Sequence, residues 1–480
     1  MKKTKKFHIS WLISWASVGL LVGTFLSLYS SGFTELEWIV IGFCLVVVGI
    51  IRKDSIGILA FLSAGLLFGL WRGGNQIVSQ SGFEQFYGKE VVITGSVLED
   101  PSYDTDGDLR LRLTDIRFDQ EKMSGEVWVA LRDNIQIRRS DVVTVEGLLS
   151  KGFGTIPSAI YRAEVLAVER KDFADVGLDT RDWFAGGIRT SVDEPEASLG
   201  SGFLLGEKSA LPEKLEKDLR LLGLTHIVVA SGYNLTILIR FARRFFARIS
   251  RFTALSASGF LIFAFANITG FSPSMTRASL IASLSLVAWY FGRKFHPLVL
   301  LPFSAAVTVA INPAYAWGDI GWLLSFMSFI GVIMLAPLIH AFFWGDRKPG
   351  NIRQVFIETM SAQLLTLPII AVAFGQYSSL SLLANVLILP FIPLAMALVF
   401  IAGTGGLALP SLAGIIGWPA EILLRYMTTV VDKLAVLPQA SSELKFTSTL
   451  VVVSYLLIFS VMLYLWRRSN YEFRDYNIVE

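Results

Sequence analysis

Apolar runs of roughly the length a bilayer demands of a helix recur along this chain. Three stand at the start, at 11–29, 36–51 and 56–71. A second series predicts spans at 225–239, 253–271, 276–291, 298–311, 320–340, 355–374, 380–401, an interrupted 407–437 and 450–466. Together these predict a mainly α, polytopic membrane protein of roughly twelve transmembrane helices. Between the two series the period changes. From 83 to 170 apolar residues alternate with polar ones: Val91, Ile93 and Val97, then Leu109, Leu111 and Leu113, Val127 and Val129, and Val143 and Val145. Alternation of this kind reads as strands. About five short strands in so small a space predict a small closed β-barrel, of which the OB-fold is one kind.

The resulting plan is a three-helix membrane segment (1–82), an OB-like β-domain (83–171) and an amphipathic connector (172–221). A transmembrane channel domain (222–466) and a short tail (467–480) follow. Charge orients it. Lys2, Lys3, Lys5 and Lys6 precede the first run, and Arg52 and Lys53 follow the second. Arg240, Arg243, Arg244, Arg248 and Arg251 then lie in one loop region, and Arg467 and Arg468 follow the last run. Alternate loops are poor in Lys and Arg. The positive-inside rule therefore predicts both termini cytoplasmic and the β-domain extracytoplasmic, and the N-terminal run, with no small-x-small cleavage site after it, reads as an uncleaved first span.

Composition adds exclusions. Charged residues make up 17% of the chain, against about a quarter in soluble domains. The single cysteine, Cys44, rules out an internal disulfide and a cysteine-based zinc site. The four histidines, His8, His226, His296 and His340, show no metal-ligand spacing. No cofactor is expected. The acidic run at 104–108 has its glycine at the wrong place for a calcium loop and reads as a hairpin turn. Gly206-Glu207-Lys208-Ser209 lacks both the spacing and the preceding strand of a P-loop.

The candidate chemistry lies at membrane depth. The stretch LGLTHIVVASGYNLTILIR at 222–240 carries His226, Ser231, Gly232 and Asn234 inside an apolar run. Polar groups there face a bundle interior or a wet cavity, and Ser-Gly is a place for a helix to kink or break. Arg277 follows Ser272-Pro273-Ser274. Gln363 and Asn385 sit in later spans, and Glu421 can pair with Arg425 four residues on. So many polar positions on separate spans argue for an internal polar route. In the β-domain, Arg110 and Arg112 alternate with leucines, and Trp128, Phe153 and Tyr161 are possible stacking platforms. Acidic residues are as frequent there, so a solvated β-surface is the better reading of the arginines.

Several of these pieces resemble one family. GLTHIVVASGYNLTIL within 221–238 looks like the signature of the ComEC competence family, the inner-membrane channels of natural DNA uptake. FLLGEKSALP at 203–212 resembles its lead-in, and TGFSPSMTRASL at 269–280 its segment ending in Arg-Ala. Asn312-Pro313 with 321–325, and LPIIAVAFGQYSSLSLLAN within 362–390, resemble its later motifs. The resemblance implies transport of single-stranded DNA without covalent chemistry. It implies as partners the lipid bilayer, a DNA receptor such as ComEA, a cytoplasmic helicase such as ComFA and a separate nuclease. Two departures stand out. The family's Ser-Gly-Leu-His reads Ser231-Gly232-Tyr233-Asn234 here. The metallo-β-lactamase-like region of many members is not found before Glu480, so a short form is expected. Rival readings are a small-solute transporter, an intramembrane hydrolase built on Ser231, and a β-domain that binds while the helices merely anchor it.

Overall fold

The computed structural model describes residues 6–30, 32–103, 108–118, 121–132, 135–170, 175–207, 210–228, 231–293, 296–345, 347, 350–438, 440, 442–443, 446–469 and 471. The acidic run at 104–107, the pair Lys208-Ser209 and most of the tail lie outside the described residues. Two compact units emerge: Met1–Val176 with Leu298–Asp319, and Gly177–Pro297 with Ile320–Glu480.

The first unit opens with helices α1 (Ile9–Leu26), α2 (Glu37–Arg52) and α3 (Ser55–Ser81). Asp54 starts α3 by accepting the backbone N–H groups of Ile56 and Gly57, which satisfies donors a helix start leaves open. Helices α1 and α3 approach until backbone meets backbone. Gly19 and Gly23 on α1, and Gly65 and Gly69 on α3, recur at four-residue spacing. A methyl at Gly65 would collide with the Ala16 carbonyl, and one at Gly19 with that of Leu62. Small-xxx-small packing replaces a hydrophobic driving force that lipid cannot supply.

The strands are β1 (Glu90–Val97), β2 (Leu109–Phe118), β3 (Val127–Leu131), β4 (Val142–Lys151) and β5 (Ser158–Glu169), with two short strand pairings beside β2. They close in the order β1-β4-β5-β3-β2 and back to β1. Only β3 and β5 run parallel among these pairs. The alternation expected from sequence is the inside–outside alternation of this barrel. Leu109, Leu111 and Leu113 are buried with Val127, Val129, Val143, Val145 and Ile160, while Arg110 and Arg112 face outward between the leucines. Where the chain leaves the barrel, Arg139 grips Asp175 through two hydrogen bonds, and Arg170 grips Asp141.

The second unit contains α4 (Val176–Ser191, begun at the boundary), α5 (Glu196–Leu205), α6 (Glu213–Leu221), α7 (Thr225–Val228), α8 (Gly232–Phe246), α9 (Arg251–Thr269) and α10 (Pro273–Tyr290). The next helix, α11 (Pro297–Ile311), belongs with the first unit. There Ser14 Oγ donates to the Leu298 carbonyl at 2.9 Å. Arg72 donates to those of Ala310 and Ile311 at 3.0 and 2.9 Å. The second unit then resumes with α12 (Ile320–Ile330), α13 (Ala336–Trp344), α14 (Asn351–Ala373), α15 (Ser381–Ile388), α16 (Ile392–Ala408), α17 (Ala413–Ala435) and α18 (Ser448–Ser469).

Among the described residues seven helices are long and apolar enough to cross a membrane. They become eight if α6 and the α7–α8 stretch, bent by 120°, count as one span. The protein is thus a multi-pass membrane protein, and the count falls below the roughly twelve expected. Helices α8 and α11 have 15 residues each and α2 has 16. At 1.5 Å per residue such helices reach only about 22–24 Å, against roughly 30 Å of hydrocarbon. α10 and α17 are long enough but carry too many polar or charged residues to meet the same test.

The glycine contact yields a test. Gly65→Leu forces α1 from α3 and should destabilise the purified protein by roughly 3 kcal/mol or more. Gly259→Ala, where no neighbour lies within 4 Å, should be neutral or mildly stabilising. Thermal unfolding in detergent compares the two, and equal midpoints would refute the close-packing account.

Candidate functional site

The second unit is built around α5, all of whose ten residues are buried. A helix wholly enclosed must find partners for both its ends. At its start the Glu194 carboxylate accepts from the backbone N–H of Ser198 at 3.0 Å and from its hydroxyl. Buried Glu196 accepts from Thr428 Oγ1 at 3.0 Å. At its end Gly206 adopts φ +74°, and its N–H returns to the Gly202 carbonyl. Beside it, Glu207 accepts from Arg189 through both oxygens at 2.9 Å.

The last turn of α5 leads to the interrupted stretch. The chain leaves α7 at Val228 and re-enters helix at Gly232, with Ser231 in extended backbone; Val229 and Ala230 lie outside the described residues. Asn234 is 1% exposed. Its Nδ2 donates to the Phe203 carbonyl at 3.0 Å, and its Oδ1 accepts from Ser231 Oγ at 3.3 Å. One side chain therefore ties the restart of α8 to the buried helix. His226 turns back on its own loop, with Nδ1 2.9 Å from the Gly223 carbonyl.

Two further groups meet this stretch. A Cβ at Gly232 would stand 3.0 Å from that of Ala278, so α8 and α10 touch next to Arg277. Arg277 is 2% exposed. It donates through Nε to Ser325 Oγ at 3.1 Å, and its guanidinium lies 5.3 Å over the Phe326 ring. On the other side, Gly223 packs against Ser378 and Ser381. Ser381 Oγ accepts from Gln363 Nε2 at 2.8 Å, and Asn385 Nδ2 donates to the Ser381 carbonyl at 2.8 Å. Asn385 Oδ1 is buried with no hydrogen-bond partner among the described residues. An acceptor left so costs about 1–3 kcal/mol. Contacts at Gly232 thus place Arg277 beside one end of the interrupted stretch, and contacts at Gly223 place Gln363 and Asn385 beside the other.

The β-domain candidates sit in the other unit. Arg112 is committed, with Nε 2.6 Å from Glu126 and Nη1 3.2 Å from Glu99. Burial works against its charge, yet the two carboxylates hold its pKa above the ordinary arginine value. The guanidinium of Arg110 lies 5.7 Å over Trp128, whose ring also packs on Phe153 and Tyr161 at 5.4 Å each. Phe153 and Tyr161 are exposed, so they rather than Trp128 offer open aromatic surface.

Sequence reading missed Phe203, Ser325 and Ser381 as partners. A backbone carbonyl gives no residue-type signal, and isolated serines give a weak one. No group of His, Cys, Asp and Glu able to hold a metal ion occurs among the described residues.

Fold and site define a multi-pass membrane protein with an interrupted helix braced on a buried one. The family model for competence proteins matches residues 203–469, more than half of the chain. This protein belongs to the competence protein family. It is 26% identical over 205 residues to an uncharacterized protein of Aquifex aeolicus, covering 42% of this chain and 46% of that one. It is 25% identical over 195 residues to ComE operon protein 3 of Bacillus subtilis, covering 39% of this chain and 24% of that protein. The matches thus span less than half the length of either relative. No solved structure matches significantly.

The tie across the break is open to measurement. Asn234→Leu and Asn234→Asp both remove the donor to the Phe203 carbonyl and should each cost about 1–3 kcal/mol. Asn234→His keeps a ring N–H and should lose less. Unfolding midpoints of the three purified variants rank them, and an aspartate variant as stable as wild type would contradict the assignment.

Proposed function

We propose that this protein passes single-stranded DNA across the cytoplasmic membrane during natural transformation, without covalent chemistry. The observation that carries the reading is the family match over 203–469, which encloses both the interrupted helix and the polar neighbourhood around it. Backbone left unpaired at membrane depth is tolerated where protein or water satisfies it. The interruption between α7 and α8, tied by Asn234, is a suitable point for a bundle to open.

In the proposed mechanism Arg277 is a gate group. Buried against Ser325 and Phe326, it exchanges these partners for phosphate oxygens as the bundle widens. Its fork stays charged and takes oxygens in pairs. Gln363, Asn385, Ser231 and His226 line the same opening and replace part of the water around the strand. The closed five-strand order supports reading the β-barrel as OB-like, with Phe153 and Tyr161 meeting a strand on the outer side. The short helices α2, α8 and α11 and the more polar α10 and α17 also cross, giving roughly twelve crossings with both termini cytoplasmic. A DNA receptor such as ComEA, a helicase such as ComFA and a separate nuclease complete the process.

Two outcomes test this. Arg277→Glu should lower transformation more than a hundredfold, since reversing a buried charge costs about 3–5 kcal/mol, and Arg277→Lys should retain part of the activity. Gly232→Leu, which fills the contact with Ala278, should also block uptake. If both variants reach the membrane in normal amounts and transform at the wild-type rate, these residues do not serve the path. For orientation, an alkaline phosphatase fusion after Lys151 should be active and one after Ser469 inactive; the reverse pattern would overturn the assigned sides.

A further inference from the structure

The hairpin tip between α8 and α9 carries two stripes on its exposed side. Phe241, Phe245 and Ile249 recur every four positions and are 73%, 57% and 70% exposed. The Phe241 and Phe245 rings are nearly parallel, with centroids 6.5 Å apart, so the apolar stripe is continuous. Beside it run Arg244 and Arg248, joined by Arg251 at the start of α9, all exposed. Positions four apart share a helix face, which aligns Phe241 with Phe245 on α8; Arg248 and Ile249 lie in the turn just beyond its end at Phe246. Arg240 interacts with Glu358 and Arg243 lies over Trp289, so neither enters the argument.

Two observations narrow the occupant of this surface. The sequence has no Asp or Glu from 219 through 318, so no acidic residue of α8, α9 or the turn between them offsets Arg244, Arg248 and Arg251. And α9 is a candidate span that begins at Arg251, so the tip stands at the edge of the hydrocarbon. An anionic leaflet offers what both stripes need at adjacent depths: acyl chains for the rings and phosphates for the guanidinium groups. A single strand offers phosphates and stacking bases, but no acyl phase at the edge of the hydrocarbon for Ile249.

We propose that the tip docks in the headgroup layer of an anionic leaflet. Phe241, Phe245 and Ile249 enter the acyl boundary, and Arg244, Arg248 and Arg251 hold phospholipid phosphates. The inference stands on membrane insertion and is independent of what the protein transports.

The single cysteine makes the test direct. Ile249→Cys in a Cys44→Ser background is labelled with a polarity-sensitive fluorophore, and phosphatidylglycerol or phosphatidylcholine is titrated into micelles of the full chain. Phosphatidylglycerol should shift the emission to the blue well before phosphatidylcholine does. Replacing Arg244, Arg248 and Arg251 with Gln should raise the half-saturating fraction by roughly fivefold per arginine removed. Replacement with Lys should leave most of the preference, which separates lost charge from misfolding. Equal response to both lipids, or a preference unchanged in the glutamine variant, would overturn the proposal. So would a single-stranded oligonucleotide that shifts the emission where phosphatidylglycerol does not, which would assign the tip to nucleic acid.

Discussion

Enclosing α5 on every side is the constraint from which the second unit follows. Ten buried residues leave no water for the helix ends, so each terminal group must be met by protein. Glu194 and Ser198 meet the start, and Asn234 reaches the Phe203 carbonyl near the finish. The donor at 234 comes from a segment that is itself broken. The break and the buried helix therefore stabilise one another: α8 restarts where its first turn can present Asn234 to α5. Removing either partner strands a polar group in an apolar surround, which is costly in the way a lost surface bond is not.

Periodicity carried much of this architecture. Alternating leucines and valines specified the barrel wall, because a strand buried on one face has a period of two. The apolar runs marked most helices. What they could not mark was length in space. A run such as 298–311 looks like a span in a sliding window, yet its helix is about a quarter shorter than the hydrocarbon is thick. Nor could they reveal that this same helix packs with α1 and α3. That depends on Ser14, Arg72 and the carbonyls of Leu298, Ala310 and Ile311, residues more than two hundred positions apart. The glycines at 19, 23, 65 and 69 did carry a readable signal. Their four-residue spacing is the small-residue pattern of close helix pairs, and it predicts the α1–α3 contact without a structure.

The candidate site was legible in its residues and hidden in its connections. His226, Ser231, Gly232 and Asn234 announce themselves as polar or small groups in an apolar run. That Gln363 and Asn385 join them depends on Ser381, one serine among many, and on the close packing of Gly223 against it. Gln363 and Asn385 lie only 18 and 4 positions from Ser381, but Gly223 lies more than a hundred away, so no local pattern encodes the meeting.

The substitution at 234 bears on what the tie is for. A histidine, the residue expected there from the family pattern, changes charge near neutral pH; an asparagine does not. In this protein the bond to Phe203 is therefore held at every physiological pH, and the brace on α8 is insensitive to protons at that position. If the bundle opens to pass a cargo, as proposed, opening must compete with a permanent amide–carbonyl bond, worth about 1 kcal/mol net when water can replace it and more while the site stays dry. Opening is thus linked to hydration of the break. As long as the neighbourhood of Phe203 remains sealed, the bond is expensive to break; once water or a polar strand enters, the same groups lose little by parting. A polar cargo would lower the cost of its own passage, and an apolar one would not.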